Sequence, residues 1–131
     1  MNRDEIVRRL KDSQEINDQY DYLEGKLFGR RWAEEKAAAK ELRRIADYIG
    51  RCDKENIPWY DPDCPGWQGP FGATDNFAIA ARPSGKGNRA VVAEFWQDAL
   101  DDRQDRIKDA AFLQGFGEGV VEVWNEVKDQ L

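Results

Sequence analysis

The twenty residues from Phe112 to Leu131, FLQGFGEGVVEVWNEVKDQL, constrain the fold more than any other stretch. Leu113, Phe116, Val120, Trp124 (or Val123) and Val127 recur at three- and four-residue steps, the period of one helical face. Gly115, Gly117 and Gly119 lie inside this pattern, where each glycine costs a helix about 1 kcal/mol relative to alanine. A helix that keeps three of them is predicted to need bare backbone there. Gly115 and Gly119, four residues apart, share a face on which another helix or a ligand can come close.

A similar pattern occurs earlier. Tyr22-Leu23-Glu24-Gly25-Lys26-Leu27-Phe28-Gly29 matches Phe112-Leu113-Gln114-Gly115-Phe116-Gly117-Glu118-Gly119: aromatic, Leu, Glu/Gln, Gly, three residues, Gly. The physical reading is two long helices crossing at close range, with Gly25, Gly29, Gly115 and Gly119 at the crossing. Both segments are too charged for the membrane form of such a motif.

Between these segments the chain alternates helical and irregular patterns. Residues 2–12 read as a short helix with Ile6, Val7 and Leu10 on one side, and Ser13 as the N-cap of a second helix running to about Ala38. Ile16, Tyr20, Leu23 and Leu27, spaced by four, three and four, give that helix its apolar face, which drifts to Phe28 and Trp32. Leu42, Ile45, Ala46 and Ile49 mark the next helix, with Gly50 as its C-terminal stop. Residues 51–73 carry four prolines but also Trp59, Tyr60, Trp67 and Phe71. Proline forbids a long helix, and so many rings predict an ordered strap rather than a solvated linker. Residues 76–82 suit a short helix or a strand. Asn88 begins a further helical region with Val91 or Val92, Phe95, Trp96, Ala99 and Leu100 on its apolar side, broken near 101–104 and restarting at Arg103.

Composition bounds the function. A chain of 131 residues suits one domain, 1–131. No apolar run approaches the ~18–20 residues of a membrane helix, and the start has no apolar core like that of a signal peptide, so a cytoplasmic protein is expected. Net charge is −6 and unevenly placed: residues 1–54 hold 13 Lys/Arg against 12 Asp/Glu, and residues 55–131 hold 7 against 14. The acidic half argues against direct nucleic-acid binding and suits a basic protein partner. With no histidine, Ser-His and Cys-His nucleophiles and His-based metal sites drop out. Cys52 and Cys64 are expected to be free thiols, with a loop disulfide as the alternative.

Glu118, Glu122 and Glu126 form one row at i, i+4 steps. They read as a solvated face paired with arginines such as Arg30, Arg31, Arg43 and Arg44, or as a contact for a basic partner. Trp59, Tyr60 and Trp67 read as core cover, or as anchors of an interface, where Trp and Tyr dominate binding energy. Carboxylates on two helices also raise a Mg²⁺-dependent hydrolase. Helical nucleotide pyrophosphatases pair Glu-Glu-x-x-Glu/Asp with a later Glu-x-x-Asp. Here Glu34-Glu35 is followed by Ala38, and Asp98 comes one step too late after Glu94, so the signature fails at both places. Those four carboxylates are the ligands such a hydrolase would use.

The sequence therefore predicts an all-α fold: an irregular bundle of about five helices with an ordered Pro/aromatic-rich loop over about 51–73. The expected function is non-enzymatic protein–protein interaction, as an inhibitor or adaptor. It would act through the acidic C-terminal helix and the aromatic loop, without a cofactor. The alternatives are the Mg-dependent hydrolase and an acidic nucleic-acid mimic such as a phage anti-defence protein. Self-association through the glycine-bearing helices is a further option.

Overall fold

The computed structural model describes residues 2–63 and 109–131. Helix accounts for 82% of them, with no strand among them, so the described part is all-α. Three α-helices carry it: α1 (Arg3–Glu35), α2 (Ala39–Lys54) and α3 (Ala110–Val127), followed by a 3₁₀ turn at Lys128–Gln130. The predicted elements at 76–82 and 88–104 lie outside the described residues, as do Cys64, Trp67, Glu94 and Asp98.

The expected break at Ser13 is absent, and α1 runs unbroken for 33 residues. Neither glycine nor proline occurs between Arg3 and Glu24, and a lone serine only mildly disfavours a helix interior. The N-cap is Asn2, whose side chain accepts from the Glu5 N–H at 2.8 Å, with Asp4 and Glu5 facing the positive end of the helix dipole. The helix closes at Lys36, where the N–H groups of Lys36 and Ala37 both return to the Trp32 carbonyl.

The second correction concerns Gly50. It sits inside α2, which continues to Lys54. The stop is Asn56, in the left-handed region at φ 58°, which asparagine tolerates better than most residues. Ile57 N–H bonds the Cys52 carbonyl at 2.8 Å and Asn56 N–H the Asp53 carbonyl at 3.3 Å, the paired bonds of a Schellman ending. Pro58 follows. At the other end of α2, the Glu41 side chain accepts from the Ala38 N–H at 2.9 Å. Residues 51–54, predicted to belong to the loop, are thus helical.

A third correction is the start of α3. Asp109 has an extended backbone and its side chain accepts from the Phe112 N–H at 3.3 Å. The helix therefore begins at Ala110 and does not run through Asp109; residues 103–108, where the sequence restarts a helix, lie outside the described residues. Phe112, Leu113, Phe116 and Val120 are almost wholly removed from solvent, which makes α3 the centre of the described fold. Leu42, Ile45, Ile49 and Cys52 line the buried face of α2, joined by Trp32, Ala33, Trp59 and Val123. Trp32 and Phe116 rings stand 5.9 Å apart, Phe28 and Phe112 rings 6.2 Å.

The last correction sets up the functional question. Ile16, Tyr20, Leu23 and Leu27, the expected inward face of α1, are exposed, as are Ile6, Val7 and Leu10. The buried positions of α1 are Gly25, Gly29, Trp32 and Ala33, on its opposite side.

Candidate interaction surfaces

The glycine crossing is backbone against backbone. A Cβ on Gly25 would collide with the Phe112 carbonyl, on Gly29 with the Phe116 carbonyl, on Gly115 with the Tyr22 carbonyl and on Gly119 with the Lys26 carbonyl. Residue numbers rise together in both helices along this contact, so α1 and α3 are parallel. The contacts are also reciprocal. In the alignment of the two similar octapeptides, Gly25 matches Gly115 and Tyr22 matches Phe112. Gly25 meets Phe112, and Gly115 meets Tyr22. Each glycine thus abuts the residue three positions before its own equivalent in the other helix, and Gly29 with Phe116 and Gly119 with Lys26 repeat the relation. The two octapeptides are related by a local two-fold axis along the pair.

The carboxylate row of α3 faces α1. Like charges four residues apart repel along a helix. Here cations with the same spacing stand opposite them. Lys26 Nζ lies 3.2 Å from Glu122, and Arg30 contacts Glu122 at 3.8 Å and Glu126 at 3.1 Å. Arg30 also reaches Glu34 at 3.2 Å, and its bond to Glu126 holds the guanidinium more firmly protonated than usual. Glu118 accepts from the Tyr22 hydroxyl, which with burial and the nearby carboxylates pushes Tyr22 up to about 12. Glu118 Oε2 is buried without a hydrogen-bond partner. Lys26 and Tyr22 were not singled out from the sequence. The signal available was the matching four-residue step of Lys26 and Arg30.

Trp59 is 3% exposed, and its Nε1–H donates to Asp53 at 3.1 Å. Its ring belongs to the core. Tyr60 stacks edge-on against it at 5.2 Å and stays half-buried, lining an open groove with Lys11, Asp18, Tyr22 and Gln114. Glu34 and Glu35 are exposed at the end of α1. Among the described residues, no group of three Asp, Glu or Cys side chains is placed to hold a metal ion. Cys52 is a free, buried thiol; burial pushes its pKa up, which disfavours the thiolate a nucleophile requires.

No family model, curated protein or solved structure matches this chain. The geometry is what remains to assign a role. No described helix is long and apolar enough to cross a membrane.

Among the described residues, one aligned run of apolar side chains on α1 stands exposed. Ile16, Tyr20, Leu23 and Leu27 are 65%, 68%, 63% and 55% exposed. At 100° per residue they fall within about 60° of one another, on the side of α1 opposite the glycines. Single exposed apolar residues need no explanation; an aligned run is a candidate contact surface.

Proposed function

We propose that this protein is a non-enzymatic protein–protein interaction module, an adaptor or inhibitor, whose docking element is the solvent face of α1. The observation that carries the reading is the exposed seam Ile16-Tyr20-Leu23-Leu27. Amphipathic helices with apolar residues at this spacing are a recurring recognition element. The expected contact through Glu118, Glu122, Glu126 and Trp59 gains less support. Glu122 and Glu126 are occupied by Lys26 and Arg30, and Trp59 is buried. The same pairing reduces the free acidity on which a nucleic-acid mimic depends.

The test is Leu23→Glu in the full chain, with far-UV circular dichroism to show that folding is kept. Wild-type and variant proteins are compared for binding by chemical cross-linking, with a second copy counted as a partner. The reading expects binding in the wild type and its loss in the variant. Unchanged complexes, or no complex with either protein, would remove it.

A further inference from the structure

We infer that the partner seated on this face is a second copy of the same chain, with the two α1 helices antiparallel and paired so that residue numbers sum to 43. This rests on the interaction reading above and adds the identity and direction of the partner. A coiled-coil seam advances by alternating steps of four and three residues. On α1 that series runs Arg9, Ser13, Ile16, Tyr20, Leu23, Leu27, Arg30, Glu34. Its apolar members occupy the middle and its charged members the ends.

An antiparallel two-fold pairing centred between Asp21 and Tyr22 makes that series complementary to itself. Ile16 meets Leu27, and Tyr20 meets Leu23. Arg9 meets Glu34. All of these residues are exposed. The isologous symmetry of a homodimer demands such reciprocity, residue i on j and j on i.

Charge also selects the direction. A parallel in-register pair would set Arg9 on Arg9 and Glu34 on Glu34. The antiparallel register sets Arg9 on Glu34 at both ends of the seam. Like charges placed opposite one another are an effective device against a wrong pairing.

Size sets the strength. From Arg9 to Glu34 the seam is about 38 Å long, and a helix is roughly 10–12 Å across with its side chains. The contact therefore covers on the order of 400 Å² per chain, or about 800 Å² in all, below the roughly 1,200 Å² of a stable specific interface and in the range of weak, transient ones. A reversible dimer is expected, not an obligate one.

The experiment combines sedimentation over a concentration series with disulfide trapping. Trapping uses Ile16→Cys and Leu27→Cys proteins in a Cys64→Ser background, with buried Cys52 left in place. The expected result is a monomer–dimer equilibrium abolished by Leu23→Glu, and faster trapping of Ile16→Cys mixed with Leu27→Cys than of either alone. Faster trapping of each variant with itself overturns the antiparallel register. A dimer indifferent to Leu23→Glu overturns the face. A monomer that binds a different protein through Leu23 removes this inference and leaves the proposed function. A monomer that Leu23→Glu destabilises places the chain's own residues 64–108 on the seam and removes both.

Discussion

Gly115→Ala tests the crossing on which the described fold depends. A methyl group there would stand 2.9 Å from the Tyr22 carbonyl carbon and from the Lys26 nitrogen, and closer still to the Tyr22 carbonyl oxygen. Ordinary contact begins at 3.4 Å. The obstacle is helix backbone, which has no rotamer to change, so α1 and α3 must separate. That loosens Phe112, Leu113, Phe116 and Val120, which are at most 1% exposed. Alanine's better helix propensity returns about 1 kcal/mol. Overpacking of a core costs about 1–3 kcal/mol, occasionally more, and here loss of packing across the pair adds to it. We expect a net destabilisation of about 2–4 kcal/mol, or about 8–16 °C in Tm at roughly 4 °C per kcal/mol for a domain of this size. Gly50→Ala is the control. Gly50 is a helix-interior glycine with nothing within 4 Å of its would-be Cβ, so alanine there should stabilise by about 0.4–1 kcal/mol. Urea and thermal unfolding followed by circular dichroism measure both. If Gly115→Ala proves as stable as Gly50→Ala, the close parallel crossing is wrong.

Four further outcomes follow from the same geometry. Trp59→Ala should cost about 3–5 kcal/mol in urea unfolding, and Trp59→Phe clearly less, because exposed Asp53 can turn to water; a neutral alanine variant would place the ring outside the core. Glu118→Gln should lower the Tyr22 pKa from about 12, read by NMR titration of the ring. Because folding raises that pKa above its ordinary 10, its contribution to stability is complete below pH 10 and is lost as pH rises through about 12. In Glu118→Gln the loss should still begin near pH 10 but be smaller and end at lower pH; identical alkaline unfolding in both proteins would refute the bond. Arg30→Ala should destabilise slightly in low salt and less in high salt, since its ion pairs are solvent-accessible; a large, salt-independent loss would point to packing instead. Millimolar Mg²⁺ should leave Tm unchanged, whereas a rise would favour the hydrolase reading through Glu34 and Glu35.

Periodicity marked Leu42, Ile45 and Ile49 as one face of α2, and they are buried together, because a three-and-four spacing leaves a short helix one way to hide its apolar side. The end of α2 was harder to read. Gly50 has the residue type of a stop, but Asn56 supplies the left-handed turn, backed by Pro58. A glycine permits a break without compelling one. The acidic row of α3 was visible as a row, and Arg30 was among the partners expected for it; Lys26 was not. Lys26 and Arg30 meet it through the pairing of α1 with α3, between segments some ninety residues apart.

The chain by itself determined that helices form, through local spacing and the scarcity of breakers in α1. It also marked where backbone is bare, because glycine at four-residue steps is a local fact. Direction and sidedness were decided in three dimensions. Helix α1 carries apolar or small residues on two opposite sides, and a periodic pattern cannot say which one a neighbour will cover. The glycine side received α3 because two helices can approach there to backbone contact, bringing Phe112 and Phe116 against Phe28 and Trp32. Ile16, Tyr20, Leu23 and Leu27 were thereby left facing outward.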